Sequence, residues 1–366
     1  MKKKPVYIAA TGQHVGKTTA ALGLMNCLGE RGLRTAFMKP VGQRYMEIDG
    51  LKVDEDAVLV CDTFAACAGT DLKDMSPIAI PRGFTENYIR HRNKTELHRQ
   101  ITEAYARLAS GADAMVVEGT GHAGVGSVFD TSNAEVASLL GAPVIIISEG
   151  GIGRPIDEIS LSRAMFAEKG VPILGAVLNK VLPAKYERIL EVSRMGLDAL
   201  GIKLLGAIPF EPRLTFPTVK QVAYELNARV LAGDGGLNNI IEHTVIAAME
   251  PQNVISYLTE RTLMITPGDR IDNILVAVSS HLISGGAGPN ISGILLTGGL
   301  VPHFTIISLL KRSEIPILLC EEPTYQVSGR VTDMVFKINP DDTDKIAEAQ
   351  KLVGQYLDLD YVLEAL

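Results

Sequence analysis

Residues 6–19 read VYIAATGQHVGKTT, and this stretch decides the fold. Five apolar residues predict a buried strand, a turn containing glycine follows, and apolar residues then recur at helical spacing: Ala21, Leu22, Met25 and Leu28. A Gly-Lys-Thr triplet between a strand and a helix is typical of a phosphate-binding loop, because backbone N–H groups and the helix N-terminus surround the phosphates. A plain glycine turn is the alternative interpretation.

The loop predicts a nucleoside triphosphate, ATP, bound together with Mg²⁺. Lys17 is expected to reach the outer phosphates and Thr18 to hold the metal ion. Thr11 stands where the common motif has its first glycine. His14 is either a general base or a histidine on the loop surface, and nothing in the sequence orients its ring. The residues predicted to bind the nucleotide are Gly12, Gln13, His14, Val15, Gly16, Lys17, Thr18 and Thr19.

The length of 366 residues predicts two domains. Short apolar runs alternate with helical patterns over the first 208 residues, which predicts an α/β fold with a parallel sheet covered by helices on both faces. The predicted strands are Val6–Ala10, Thr35–Met38, Ala114–Val117, Val144–Ser148, Ile173–Leu178 and Leu204–Ile208. A proline-rich stretch from Pro209 to Pro217 places the boundary between a nucleotide-binding domain, 1–214, and a smaller α/β domain, 215–366.

Composition excludes several classes of partner. The net charge is -7 and there is no long basic stripe, so we expect no nucleic-acid partner. No apolar run approaches the roughly 18 residues of a membrane span, and the start of the chain does not read as a signal peptide. Four cysteines without C-x-x-C spacing fit a reducing compartment, so the expected localisation is the cytoplasm.

Four further pieces follow the loop in a recognisable order: Lys39-Pro40-Val41, Asp56, Glu118-Gly119-Thr120-Gly121 and Asn179-Lys180. Together they resemble dethiobiotin synthetase. More broadly the chain is similar to the family that unites that enzyme with the cobyrinate amide synthases and the N-terminal domain of long phosphotransacetylases. The resemblance covers about the first 210 residues.

The resemblance implies a role for each matching residue. Glu118 and Asp56 would hold Mg²⁺ together with Thr18, Lys39 would face the transferring phosphate, and Asn179 would contact the adenine. Glu118, Asp56 and Lys39 each have a plainer explanation in the sequence. These are an acid capping a loop, surface acidity within Asp54-Glu55-Asp56, and a lysine at a strand end. The resemblance also implies a homodimer.

Two stretches qualify the resemblance. Dethiobiotin synthetase carries a small hydroxyl residue shortly after its Lys-Pro-Val, whereas this chain reads Gly42-Gln43-Arg44, so we expect a different small-molecule substrate or effector. The glycine-rich stretch from Gly121 to Ser127 either cradles an anion or is a mobile loop.

The second half of the chain resembles the domain named for its Asp-Arg-Thr-Gly-Gly signature, here Gly268-Asp269-Arg270 and Thr297-Gly298-Gly299. These residues form either a ligand site or a structural device, with Asp269 as a helix N-cap and the glycines in close turns. The strands predicted in this half are Leu263–Thr266, Gly293–Thr297, Ile317–Cys320 and Met334–Ile338, and a final helix is predicted over 341–355.

Two functions remain open from sequence. A phosphotransacetylase needs a further catalytic domain, so the chain is not expected to transfer acetyl groups, and Cys320 lacks the elbow glycines of a glutamine-dependent synthase. One hypothesis is a regulatory protein that responds to nucleotide. The other is an ATP-dependent ligase that phosphorylates a carboxylate or carbamate, with Lys17 and Lys39 as its catalytic residues.

Overall fold

Strands and helices alternate along the chain in a computed structural model, which describes residues 5–67, 69–283 and 291–365. The strands are β1 (Val6–Ala10), β2 (Thr35–Met38), β3 (Val41–Gly42), β4 (Tyr45–Ile48), β5 (Leu51–Asp54), β6 (Ile78–Ala79), β7 (Ala114–His122), β8 (Val144–Glu149), β9 (Ile173–Val181), β10 (Leu204–Pro209), β11 (Arg229–Ala232), β12 (His243–Ile246), β13 (Thr262–Pro267), β14 (Gly293–Thr297) and β15 (Ile317–Leu319). The helices are α1 (Lys17–Glu30), α2 (Glu55–Thr63), α3 (Leu72–Met75), α4 (Phe84–Arg90), α5 (Lys94–Ser110), α6 (Asn133–Leu140), α7 (Gly153–Glu168), α8 (Tyr186–Ala199), α9 (Val219–Leu226), α10 (Pro251–Val254), α11 (Ile271–Ile283), α12 (Phe304–Leu310), α13 (Thr324–Asp333), α14 (Thr343–Tyr356) and α15 (Leu359–Ala365).

A six-stranded sheet in the order β10-β9-β8-β1-β7-β2 carries the phosphate loop, and every neighbouring pair in it is parallel. All five residues of β1 are buried, which explains why its sequence is apolar without alternation. The carboxyl ends of these strands meet at one edge, where ligands bind in open α/β sheets. The predicted fold class is confirmed.

Strand β7 is longer than the sequence predicted. The apolar run ends at Val117, but the strand continues through Glu118 to His122, and Ala10 of β1 pairs with His122. The polar residues at the end of β7 are therefore held in the sheet beside the start of the phosphate loop.

A small hairpin leads into the helix that carries Asp56. Strands β4 and β5 pair antiparallel across Asp49 and Gly50, which have positive φ of 50° and 80°, as a two-residue hairpin turn requires. Helix α2 starts directly after β5. Its N-cap is Asp54, whose carboxylate accepts a hydrogen bond from the Asp56 N–H at 3.0 Å.

The chain divides into two compact units, the first running to Leu214 and resuming at Ile338, the second from Thr215 to Lys337. The second unit is built on a sheet in the order β11-β15-β14-β13-β12, with only β11 antiparallel.

The prediction of a strand over Met334–Ile338 is wrong, since these residues are irregular. Their alternation reflects side-chain packing: Met334 and Phe336 lie against the core of the second unit. Sequence also did not predict β11 and β12.

The predicted second domain, 215–366, is too long at its C-terminal end. From Ile338 onward the chain belongs to the first unit, where α14 packs on α1. A Cβ on Gly23 would lie 2.2 Å from Cβ of Val353, so the two helices approach closely only because position 23 is glycine. Asp358 N–H donates to the Leu205 carbonyl at 2.7 Å and ties the segment to the edge strand β10. The sequence shows the apolar stripe of α14 but not the surface that it covers.

Two expectations from composition can be compared with the described residues. None of the helices in those residues combines the length and the apolar character of a membrane span. The cysteines Cys27, Cys61, Cys67 and Cys320 are free thiols, and burial raises the pKa of Cys67 to about 11. Such thiols are structural and poorly reactive.

The contact between α1 and α14 yields a paired prediction. Gly23→Ala should destabilise the protein by about 1–3 kcal/mol, because the new methyl group overlaps Val353. Gly29→Ala in the same helix meets nothing within 4 Å and should be neutral or stabilising by up to about 1 kcal/mol. Urea unfolding followed by circular dichroism measures both, and equal effects would contradict the packing described.

Candidate functional site

The loop of residues 11–16 joins β1 to α1 in a conformation that its sequence enforces. Gly16 is the N-cap of α1 with φ of 104°, and a Cβ there would lie 1.9 Å from Nδ2 of Asn179. Thr11 occupies the place of the usual glycine. Its N–H donates to the Ile147 carbonyl at 2.9 Å and its hydroxyl lies 3.0 Å from the Ser148 hydroxyl, so it fastens the start of the loop to β8.

Lys17 opens helix α1 and folds back over the loop. Its ammonium lies 3.1 Å from the Gly12 carbonyl and 3.4 Å from the Gly121 carbonyl. The charge is thus held between the loop and the end of β7, where phosphate oxygens, as charged acceptors, would be stronger partners than carbonyls.

A buried ion cluster lies at the same edge of the sheet. The Lys39 ammonium donates to Asp56 Oδ2 and to Glu118 Oε1, both at 2.7 Å, and all three side chains are at most 5% exposed. Burial acts to lower the pKa of Lys39, but the carboxylates of Asp56 and Glu118 outweigh it and hold that pKa well above its usual value. Burial raises the pKa of Glu118, and Lys39 acts in the opposite sense. Lys39 is therefore a fixed positive charge.

Thr18 and Glu118 together suit a magnesium ion. The Thr18 hydroxyl donates to Glu118 Oε1 at 3.2 Å, and Glu118 Oε2 is buried without a hydrogen-bond partner among the described residues. No three acidic, histidine or cysteine side chains in the described ranges form a ready-made metal cluster. A hydroxyl and a carboxylate are protein donors that Mg²⁺ can take at a phosphate site, where phosphates and water complete its shell.

Asn179 lies under the phosphate loop. Its Nδ2 donates to the Val15 carbonyl at 2.8 Å, and its Oδ1 accepts from the Lys180 N–H at 2.9 Å. Lys180 Nζ also donates to the His14 carbonyl at 2.6 Å. The structure thus gives Asn179 a part in holding the loop, and its contact with adenine stays a prediction.

The remaining predicted residues are part of the loop or its helix. Gln13 and His14 are exposed, and His14 adopts a φ of 57°, in the left-handed region. Val15 is buried beneath the loop, and Thr19 is half-buried in the first turn of α1. Their contacts with nucleotide also stay predictions.

Sequence reasoning missed the polar network behind the loop. Tyr7 lies in the buried strand β1 and donates to Asn133 Oδ1 at 2.8 Å, while Asn133 Nδ2 donates to the carbonyls of Thr120 and His122. The available signal was the polar hydroxyl of Tyr7 inside an otherwise apolar strand, because a buried hydroxyl requires a partner. Asn133 itself carried no signal beyond its place at the start of a helix.

The signature residues of the second unit lock its strand ends together. A Cβ on Gly268 would lie 1.7 Å from the Leu300 carbonyl, and a Cβ on Gly299 would lie 2.4 Å from Glu321 Oε2. The Arg270 guanidinium donates to the Met249 carbonyl at 3.1 Å and pairs with Asp272. This geometry supports the structural role for the glycines and Arg270.

Two family descriptions match the chain. Residues 4–218 match a family described as an AAA domain, and residues 221–334 match the DRTGG domain. The first match spans the phosphate loop, Lys39, Glu118 and Asn179.

The curated relatives are proteins named phosphate acetyltransferase. One from Nitratidesulfovibrio vulgaris is 31% identical over 363 residues, which cover 96% of this chain and 50% of the relative. One from Pseudomonas putida is 29% identical over 366 residues, again 96% of this chain and 50% of the relative. The chain spans about half the length of the curated relatives it matches.

Solved structures are more distant. The MinD cell division protein of Aquifex aeolicus is 16% identical, with a TM-score of 0.34, over 58% of this chain and 84% of that one. The CBS and DRTGG domains of a Clostridium perfringens pyrophosphatase are 18% identical, with a TM-score of 0.26, over 41% of this chain and 50% of that one.

The ion cluster predicts a stability effect that depends on pH. Lys39→Met should cost about 3–5 kcal/mol of unfolding free energy at neutral pH, because it leaves buried carboxylates without their cation. Since burial raises the pKa of Glu118, the folded state retains a proton to higher pH than the unfolded state, and the variant should lose stability as the pH rises above the ordinary carboxyl range.

Urea unfolding of the variant in EDTA at pH 5 and pH 8 measures this dependence. Lys73→Met, at an exposed lysine paired with Asp71 on the surface, is the control and should change stability little at either pH. An equal loss in Lys39→Met at both pH values would contradict the proposed charge balance.

Proposed function

The chain belongs to the AAA domain family over residues 4–218, and from that premise we propose that it binds ATP with Mg²⁺ and acts as a nucleotide-responsive regulatory protein. The observation that carries the proposal is the convergence of Lys17, Thr18, Lys39 and Glu118 at one edge of the parallel sheet. Two ammonium groups, a hydroxyl and a carboxylate there match the chemistry of a triphosphate with its metal ion.

The residues divide the work of binding. Backbone N–H groups of the loop and the start of α1 surround the phosphates, and Lys17 neutralises the outer ones. Thr18 and Glu118 would hold the metal ion, with Asp56 as the neighbouring acid. Bound Mg²⁺ would supply positive charge between the phosphates.

Lys39 is the residue that changes partner in this proposal. In the structure its ammonium is shared between Asp56 and Glu118. A terminal phosphate offers the same charge at the same edge, so Lys39 would turn toward it and free Glu118 for the metal ion. Binding of nucleotide and rearrangement of the ion cluster would then be one event.

Further parts of the proposal rest on the family resemblance. Asn179 would contact the adenine with the hydrogen-bonding capacity that the loop leaves unused, since an amide can make four hydrogen bonds. The resemblance also implies a homodimer as the active form. Composition is the basis for placing it in the cytoplasm, with a small molecule as effector and with neither nucleic acid nor membrane as partner. The relatives named phosphate acetyltransferase suggest that the effector reports on acetyl metabolism.

The connectivity of the two units supports a regulatory role. The second unit is inserted into the first, because the chain leaves the first unit at Leu214 and returns to it at Ile338. The returning segment packs on α1, whose N-terminus is the phosphate loop. A conformational change in either unit can thus be transmitted to the other through two covalent connections.

Binding of ATP is tested by titration calorimetry. Wild-type protein should bind ATP more tightly with Mg²⁺ than with EDTA, and Lys17→Ala should weaken that binding by at least about tenfold, in line with loss of a charge-assisted hydrogen bond. Lys73→Ala, which removes an exposed lysine, is the matched control and should bind as wild type does. Absence of binding by wild type would refute the proposal.

The regulatory part has its own test. Hydrogen exchange of residues 215–337 is measured with and without Mg·ATP. We expect altered exchange rates in this unit, because coupled sites share free energy. Unchanged exchange throughout the second unit, with ATP bound at the first, would overturn the regulatory role and leave ATP binding intact.

A second candidate function is an ATP-dependent ligase, and the buried charge of Lys39 favours it. A fixed ammonium at this place would stabilise a transferring phosphoryl group. One member of a panel of small carboxylic acids and amines should then stimulate ADP release, and Lys39→Ala should abolish the stimulation while ATP binding persists. A panel without any stimulation would refute the ligase.

A further inference from the structure

We propose that Asn133 is a positioning residue of the nucleotide site, which sets the backbone at the end of β7 and through it the Glu118 carboxylate and the Gly121 carbonyl. The proposal rests on the function proposed above. Asn133 is the first residue of α6 and is 3% exposed. Its side-chain hydrogen bonds go to Tyr7, Thr120 and His122, which are not among the predicted nucleotide contacts.

The side-chain amide of Asn133 makes four hydrogen bonds. Its Oδ1 accepts from the Tyr7 hydroxyl at 2.8 Å and from the Thr120 N–H at 3.0 Å. Its Nδ2 donates to the Thr120 carbonyl at 2.8 Å and to the His122 carbonyl at 2.7 Å. An amide has two donors and two lone pairs, so its hydrogen-bonding capacity is fully used.

The orientation of the amide is fixed by its partners. A backbone N–H only donates and a backbone carbonyl only accepts, so Oδ1 must face the Thr120 N–H and Nδ2 must face the two carbonyls. Burial raises the pKa of Tyr7, which keeps its hydroxyl protonated as a donor to Oδ1.

Close packing against Gly119 leaves the Asn133 amide no room to move. A Cβ on Gly119 would lie 2.4 Å from Asn133 Oδ1 and 2.8 Å from Cε1 of Tyr7. Position 119 therefore needs glycine for the strand to come within reach of the amide. Asn133 thus restricts position 119, directly after the candidate metal ligand Glu118, to glycine.

The hydrogen bonds of Asn133 to Thr120 and His122 lie on either side of Gly121. This residue has φ of 63°, and its carbonyl accepts from Lys17 at 3.4 Å. Because Asn133 holds the residues on both sides, Thr120 and His122, the direction of the Gly121 carbonyl is set by one side chain. The same contacts hold the stretch between His122 and Asn133 as a loop closed at its base.

The test compares Asn133→Asp with Ser132→Ala. The aspartate keeps the shape but removes both donors and places a carboxylate against two carbonyls. Ser132→Ala removes only the N-cap of α6, the hydrogen bond from Glu135 N–H at 3.1 Å, and serves as the control for a local loss of stability.

The readout is the ratio of the ATP dissociation constants measured in EDTA and in Mg²⁺. Asn133→Asp should lose about 10–100-fold of the tightening that Mg²⁺ gives in wild type, as changes behind metal ligands do. Its affinity in EDTA, which reports on Lys17 beside the Gly121 carbonyl, should fall by much less. Ser132→Ala should keep the full ratio. A merely structural role of Asn133 would lower both affinities together.

A second variant covers the case in which Asn133→Asp does not fold. Gly119→Ala keeps every hydrogen-bonding group but pushes its methyl against Asn133 Oδ1, and it should lose the Mg²⁺ effect in the same way. A folded variant of either kind with the wild-type ratio would overturn this inference alone. Failure of wild type to bind ATP would overturn it together with the proposed function.

Discussion

The buried contact of Lys39 with Asp56 and Glu118 is the constraint on which the first unit depends. Taking three charges out of water costs several kcal/mol for each ion, and only close geometry offsets that cost. The contacts of 2.7 Å require the end of β2, the start of α2 and the middle of β7 to meet at one point. These segments are far apart in sequence, so the cluster fixes the sheet edge that the phosphate loop faces.

The rest of the site is arranged around that edge by hydrogen bonds rather than by ion pairs. Asp54 caps α2 and thereby sets the position of Asp56. Asn179 supports the loop from β9, and Asn133 supports the end of β7 from α6. The helix that begins at Lys17 is covered by α14, which the chain reaches only after the second unit. Hydrogen-bonding side chains thus place the reactive groups, while α14 covers the helix that the loop leads into.

What the sequence predicted is what local pattern determines. The strand, loop and helix around Lys17 follow from apolar spacing and glycine, and Lys39, Asp56 and Glu118 came from a family resemblance whose geometry the structure supplies. The sequence pattern could not predict how distant segments pack against each other. The apolar stripe of α14 did not reveal its partner, and residues 334–338 alternate without pairing in a sheet. Asn133 acquires its role only when the fold brings Tyr7, Thr120 and His122 around it.

We propose above all that nucleotide and the ion cluster share a site. A crystal structure with Mg²⁺ and a non-hydrolysable ATP analogue tests it most directly. The triphosphate should lie in the loop of residues 11–18, with Mg²⁺ beside Thr18 and Glu118 and with the Lys39 ammonium turned to the terminal phosphate. A nucleotide bound elsewhere, or bound in the loop with Lys39 still between Asp56 and Glu118, would contradict the claim.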